Sequence, residues 1–306
     1  MVTIKDIARI SGYAVSTVSR ALNNHPDVSP EARAHIDQIV KEYGYIPNTN
    51  ARQLKKQDTR NIGIVVKGTF NTLFSAIIEE MQAYIRRAGY TVITLYIDEV
   101  DTNEVEQALQ LCHDRKLLGL LFLGGNEENF ISTFPKIDIP SVLVTASAKS
   151  LAFHNLSSVS TDDILAAKCA VDYLIENGHT NVGVVGGSLQ KSDISRMRYE
   201  GAKKSFEEHG LAFDVDKCYA SARYSYNSAY RAMGRLLDEN PTVTAVFAMS
   251  DVMAIGAIRA MRDKGLRVPE DISIVGFDGI ELAEYYNPKL TTIRRRSCWQ
   301  SVVSKF

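Results

Sequence analysis

From Asn61 onward the chain alternates between short apolar runs and amphipathic stretches, and no other feature limits its fold as strongly. NIGIVVK, TVITLYI, LLGLLFL and SVLVT form a first series, separated by stretches such as SAIIEEMQAYIRRAGY and NEVEQALQLCHDRK. A second series, NVGVVGG, VTAVFAM and ISIVGF, alternates with DILAAKCAVDYLIENGH, YNSAYRAMGRLLDEN and DVMAIGAIRAMRDKG. A run that is apolar at nearly every position must be covered on both faces, which is the condition of a parallel strand with helices on each side. Two such series predict two α/β subdomains side by side. A ligand cleft is expected between them, where the ends of the strands face each other.

The first sixty residues follow a different period. TIKDIARI sets Ile4, Ile7, Ala8 and Ile10 near one helical face, with Thr3 and Asp6 spaced as a capping box. VSTVSRAL repeats the pattern through Val15, Val18 and Leu22. SPEARAHIDQIVKEYGY has Ser29 as cap and Pro30 at the first helical position, buries Ile36, Ile39, Val40 and Tyr43, and stops at Gly44. Pro47 then breaks the chain, and NTNARQLKKQDTR follows, polar and basic with Leu54 as its one large apolar residue. Two short helices joined by SGYA have the proportions of a helix-turn-helix. The second helix carries no carboxylate and one cation, Arg20. That composition suits a helix pressed into the groove of a polyanion, where carboxylates would be repelled and long side chains would not fit. Val15, Ser16 and Thr17 open this helix, where base edges are met, and an arginine can bond guanine O6 and N7 together. The residues alone also allow a small three-helix packing module.

Charge agrees with the division. Residues 1–60 hold nine Lys or Arg against six Asp or Glu, a net of +3, and the remainder holds 26 against 30, a net of −4. A basic head on an acidic body fits an anionic partner for the head alone. No apolar run is long enough to span a membrane, and MVTIKDIARI lacks the apolar core of an export signal, so a cytoplasmic protein is expected. The four cysteines, Cys112, Cys169, Cys218 and Cys298, form no C-x-x-C pair, which argues against zinc ribbons and disulfides.

Catalytic signatures are missing from the sequence. There is no G-x-G-x-x-G, no Walker A and no G-x-S-x-G. NVGVVGGS is a strand followed by a glycine-rich turn, usable for close packing. The six histidines lie on separate segments without ligand spacing. No enzyme, catalytic residue, metal or cofactor is expected.

VTIKDIARISGYAVSTVSRALNNHPDVSPEARAHIDQIVKEYGYIPNTNARQLK resembles the DNA-binding head of the LacI/GalR family of transcriptional regulators. The likeness continues through NIGIVV, GHTNVGVVGG, RYEGAKKSF and TAVFAMSDVMAIGAIRAMRDKGLRVPEDISIVGFDGIELAEYYNPKLTTI, so it runs from residue 2 to about residue 293. It implies an all-α helix-turn-helix head at 1–46, a hinge helix and linker at 47–60, and at 61–293 an α/β body of two parallel-sheet subdomains, periplasmic-binding-protein-like. The implied protein is a homodimeric repressor of double-stranded operator DNA. Its operator affinity is set by a small effector bound in the cleft, a sugar or sugar derivative first and a nucleobase second. A transporter-associated sugar-binding protein is the alternative on a similar fold. It predicts an export signal and no helix-turn-helix, the reverse of what the sequence holds.

The resemblance also assigns residues. Val15, Ser16 and Arg20 would read bases, with Thr3, Thr17 and Ser19 anchoring phosphates. In the hinge, Leu54 would wedge into the minor groove, flanked by Asn50, Ala51 and Lys55; an isolated two-turn helix with an exposed leucine fits that use. In the effector cleft, Arg198 and Asp278 would be polar anchors, Asp251 a ligand contact or a helix cap, and Phe74 and Tyr224 aromatic covers. At Thr145 many relatives carry a charged or bulkier group, which points to a less polar ligand or a different sugar. Many relatives also carry Ser at the position of Ala14, so this recognition helix starts uncapped. The segment from 294 to 306 departs from the family. RRRSCWQSVVSKF stands where a Gln-Pro turn, a helix and further strands are expected, as in a truncated product.

Overall fold

The computed structural model describes residues 2–22, 25–45, 60–68 and 72–294. The chain divides into two units, Met1–Asp58 and Thr59–Phe306.

Three helices are described in the first unit: α1 (Ile4–Ser11), α2 (Val15–Leu22) and α3 (Pro30–Glu42). Thr3 and Asp6 form the expected capping box, with Thr3 N–H donating to Asp6 Oδ2 at 3.0 Å and Asp6 N–H to Thr3 Oγ1 at 3.4 Å. Gly12 ends α1 at φ 72°, a conformation glycine adopts without a Cβ penalty. Ser29 caps α3 by accepting from Ala32 N–H at 3.2 Å. Ile7, Val18, Ala21, Ile36 and Ile39 meet in one buried core.

Two sequence expectations fail here. Ile10 is exposed, because at 100° per residue it falls off the edge of the stripe formed by Ile4, Ile7, Ala8 and Ser11. Tyr43 is exposed too, since it caps α3 rather than continuing it. Gly44, at φ 59°, turns the chain back, and Tyr45 packs on the core instead, its N–H bonded to Val40 O at 3.0 Å.

The second unit holds two five-stranded sheets, and every strand pair is parallel. The first contains β1 (Asn61–Lys67), β2 (Thr91–Ile97), β3 (Leu117–Leu123), β4 (Ser141–Val144) and β5 (Leu156–Val159), in the order β2-β1-β3-β4-β5. Its crossovers carry α4 (Thr72–Arg87), α5 (Glu104–Arg115) and α6 (Glu127–Thr133). The second contains β6 (Val182–Gly186), β7 (Tyr219–Ser221), β8 (Ala245–Ala248), β9 (Ser273–Asp278) and β10 (Thr291–Arg294), in the order β10-β9-β8-β6-β7. It is served by α7 (Asp163–Glu176), α8 (Asp193–Glu208), α9 (Val215–Cys218), α10 (Tyr226–Glu239), α11 (Asp251–Asp263) and α12 (Glu281–Tyr285). All seven apolar runs became strands. The three strands without such a run, β5, β7 and β10, are short and lie at sheet edges. The first sheet has a core on each face, one built around Phe122, Phe130 and Phe134 and the other around Ile64, Ile77 and Leu121. A larger core around Phe247, Met253 and Phe277 fills the second subdomain. No described helix is long and apolar enough to cross a membrane.

Candidate DNA-reading face and effector cavity

On α2, Val18 and Ala21 point into the head's core, and the opposite face is left to solvent. Val15, Ser16, Ser19 and Arg20 fall within about 140° of arc on that open face at 100° per residue. Val15 is 42% exposed, unusual for a valine with a core beside it. Thr17 lies at the edge of this face, half-buried. Thr3 is at the cap of α1, its hydroxyl donating to Asp6 Oδ2 at 2.6 Å. α2 holds no acidic residue and no side-chain cap; Ala14 O accepts from Thr17 and Val18 N–H at 2.9 and 3.0 Å. The face is therefore short-chained and uncharged except for Arg20. Asn50, Ala51, Leu54 and Lys55 lie outside the described residues, as do residues 295–306.

In the body, a cavity of about 380 Å³ opens between the two sheets. Its walls come from the carboxyl ends of strands, where backbone turns away and side chains converge: Lys67 at the end of β1, Glu99 after β2, Gly124 after β3, Thr145 after β4, Gly187 after β6 and Ser221 at the end of β7. Four of the six expected cleft residues line it: Phe74, Thr145, Arg198 and Tyr224. Thr145 is buried in the left-handed region at φ 72°, a conformation that costs a β-branched residue about 1–3 kcal/mol and is held by its surroundings. Tyr224 Oη is 2.9 Å from Ser195 Oγ, and burial pushes its phenol up. The glycine-rich turn of NVGVVGGS serves close packing, since a Cβ on Gly187 would run into Ser195 Oγ and the Tyr224 ring.

Arg198 is 2% exposed and held on every side. Its Nε donates to Asp163 Oδ1 at 2.8 Å and Nη1 donates to Met249 O. Nη2 stands 3.9 Å from Asp278 Oδ1, and the guanidinium lies 3.8 Å from the centre of the Phe277 ring.

Asp251 and Asp278 are not among the residues that line the cavity. Asp251 is fully buried and accepts from Ile280 N–H at 2.8 Å and Thr292 Oγ1 at 2.5 Å, so it joins α11 to the turn after β9 and to β10. The cap of α11 is Ser250, which accepts from Met253 N–H at 3.2 Å. Asp278, at φ 118°, is buried near Arg198, and the helix that follows it is capped at Ile280 rather than by its side chain.

The cavity also has residues the sequence reading did not single out. Lys67 Nζ donates to both oxygens of Glu104 at 2.9 Å, with the two side chains 7% and 1% exposed. Arg223 Nε donates to Glu99 Oε1 at 2.9 Å and Nη2 pairs with Asp98, joining the second subdomain to the first. One sign of Lys67 was available, a cation closing the otherwise apolar run NIGIVVK. Its partner lies 37 residues away and has no local sign. Among the described residues no cluster of His, Cys, Asp and Glu could hold a metal ion.

Comparison with known proteins agrees with both units. Residues 3–48 match the family model of bacterial regulatory proteins, lacI family, and residues 171–297 match a periplasmic binding protein-like domain. The chain is 42% identical over 296 residues to the HTH-type transcriptional regulator MalR of Clostridium butyricum, covering 95% of this chain and 87% of that protein. It is 32% identical to the ribose operon repressor of Haemophilus influenzae, over 96% of this chain and 86% of that one. Among solved structures, the lac repressor dimer bound to operator and the anti-inducer ONPF superposes with a TM-score of 0.71 at 25% identity, covering 99% of this chain and 91% of that one. The transcriptional regulator CelR–cellobiose complex gives 0.66 at 26% identity, over 96% and 88%. With an open carboxylate-free helix face on one unit and a strand-end cavity in the other, the chain belongs to the lacI family of bacterial transcriptional regulators.

Proposed function

We propose that this chain is a homodimeric repressor whose hold on a near-palindromic operator is set by an uncharged sugar bound in the cavity. Val15, Ser16 and Arg20 read bases, Thr3, Thr17 and Ser19 anchor phosphates, and the hinge residues Asn50, Ala51, Leu54 and Lys55 engage the minor groove. Phe74, Thr145, Arg198 and Tyr224 contact the effector. Asp278 acts behind Arg198 rather than on the ligand, and Asp251 acts as a tie within the second subdomain.

The composition of the cavity wall carries the sugar reading. Beside Phe74 it presents the hydroxyls of Thr145, Ser188, Ser192, Ser221 and Tyr224. Of the four cations on the wall, Lys67, Arg198 and Arg223 are each paired with a carboxylate of the chain itself, and Lys191 is exposed to solvent. An anionic effector would have to compete with those carboxylates, whereas an uncharged polyhydroxyl ligand takes hydroxyl partners and stacks a face on the aromatic ring. The CelR–cellobiose complex is a sugar complex on the same fold.

The test is a melting-temperature screen of the full chain against glucose, ribose, maltose and cellobiose, with guanine and hypoxanthine as the competing class. A ligand at 100 times its dissociation constant adds about 2.7 kcal/mol. One neutral sugar should raise the melting temperature by several degrees and change operator affinity in a mobility-shift assay at physiological salt. A shift by a nucleobase alone would overturn the sugar reading, and no sequence-selective DNA binding by folded dimer would overturn the operator reading.

A further inference from the structure

We propose that Glu104 is a positioning residue that couples occupancy of the cavity to the polar bridge between the two subdomains. The coupling rests on reading the cavity as the effector site; the bridge itself does not. Glu104 opens α5, is fully buried and does not line the cavity. Its carboxylate is shared between two kinds of donor. Lys67, on the cavity wall, donates to both oxygens at 2.9 Å. The same Oε1 accepts from Asn126 N–H at 3.3 Å and from Asn129 Nδ2 at 2.9 Å. Asn126 in turn crosses to the second subdomain. Its Nδ2 donates to Lys191 O at 2.6 Å, and its Oδ1 accepts from Asp193 N–H at 3.4 Å. Beside it, Glu127 N–H donates to Asp193 Oδ2 at 2.7 Å. Asp193 is the first residue of α8, the helix that carries Arg198 on the opposite cavity wall. A continuous path of hydrogen bonds therefore runs from Lys67 through Glu104 and Asn126 to the start of α8.

The path can carry a signal because one anion serves both ends. An ammonium has three donors, and Glu104 takes two of those of Lys67. An effector oxygen that draws Lys67 toward the cavity weakens its hold on Oε1. In a buried site of low dielectric, the charge that Lys67 releases is met by Asn126 N–H and Asn129 Nδ2, whose charge-assisted bonds tighten. Asn126 is then held in the position from which it reaches Lys191 and Asp193. The other cross-subdomain tie, Arg223 with Asp98 and Glu99, has a half-exposed guanidinium screened by solvent, and its link to the cavity is direct.

Amide hydrogen exchange on the full chain tests the path without any sugar. In Glu104→Gln, exchange at Asn126, Glu127 and Asp193 should all rise. A rise at Asn126 alone, with Glu127 and Asp193 as protected as in the parent, is the signature of one lost local bond and overturns the proposal. Glu104→Asp keeps the charge but retracts it by one methylene, and it should loosen the same three amides; unchanged protection at Glu127 and Asp193 would again overturn it. In a serial path, Glu104→Gln combined with Asn126→Ala exchanges at Asp193 no faster than Asn126→Ala alone, and a further increase would make the two effects independent.

A second arm uses maltose and cellobiose. A sugar that binds the parent by calorimetry should protect Glu127 and Asp193 by fivefold or more, within the usual range of coupling between sites. It should lose that effect in Glu104→Gln while still releasing binding heat. Retained protection in the variant sinks the coupling. Failure of every sugar to bind the parent sinks the effector reading instead, and the sugar-free arm still decides the path.

Discussion

Asp251 is fully buried, and burial pushes its carboxyl up to about 7, against the lowering effect of its bonds from Thr292 and Ile280 and with the nearby Asp278 charge adding to the rise. The sign follows from linkage. A carboxyl raised above its unfolded value of 3.8 stabilises the fold fully below that pH, and its contribution is lost as pH rises through 7. Between pH 5 and pH 8 the body should therefore lose on the order of 2 kcal/mol through this group, at about 1.4 kcal/mol per unit. His179 works the other way. Burial lowers its pKa, so its contribution is present above the unfolded value of 6.5 and lost as pH falls. Urea unfolding of the parent and of Asp251→Asn at both pH values separates the two. The variant should lose the decline toward pH 8, and an unchanged slope would assign the decline elsewhere. The motif MSDVMA offered Asp251 as a cap or a ligand contact, while the hydroxyl of Ser250 stands beside it. Which of the two caps the helix depended on β10, 41 residues further along, where Thr292 engages Asp251.

At the scale of elements, α2 shows what periodicity conveys and what it leaves open. Val15, Val18 and Leu22 read as one apolar pattern, yet Val18 is buried and Val15 is exposed on the face with Ser16 and Arg20. The structure frees Val15 because the core of the head lies on the other side of the helix. Ala14 is exposed at the start of α2, with no side chain to cap it. Ala14→Ser should raise the melting temperature of the head, a cap being worth about 0.5–2 kcal/mol, and leave operator choice unaltered. Val15→Ala or Ser16→Ala should shift operator preference at similar stability. Selection of preferred sites from a random DNA pool distinguishes the cases. An Ala14→Ser variant that selects a different site would displace the reading positions. The strands divide along similar lines. Continuous apolar runs marked the seven that fill the sheet interiors together with edge strand β2. β5, β7 and β10 are edge strands of only three or four residues, and no run announced them.

For the whole molecule, charge and cavity lead to different dependences on salt. The basic head, with its net of +3 over residues 1–60, faces a polyanion, whereas three of the four cations on the cavity wall are neutralised from within. Operator affinity should fall by about 10³–10⁵ between 50 and 200 mM salt if 6–10 phosphates are contacted. Binding of a neutral sugar, followed by calorimetry over the same range, should change by less than about twofold, since no net charge is transferred. A sugar whose affinity fell with salt as steeply as the operator's would show that the cavity binds an anion.

What could be read from the residues was local in origin. Apolar runs and caps announced the interior strands and most of the described helices, though not α6, α8, α9 or α12, and the two series announced two parallel-sheet subdomains with a cleft. The carboxylate-free second helix announced a polyanion's groove. The family resemblance, through RYEG, marked Arg198 as a cleft residue, and it lines the cavity. The pairings that define the cavity were not legible, because each joins segments far apart in sequence: Lys67 with Glu104, Arg198 with Asp163, Arg223 with Glu99. A charged side chain announces that it needs a partner when buried, but only the folded chain brings the partner within reach. For that reason the tertiary structure alone decided which cations stay open to a ligand, and moved Asp251 and Asp278 from the cavity wall into the frame behind it.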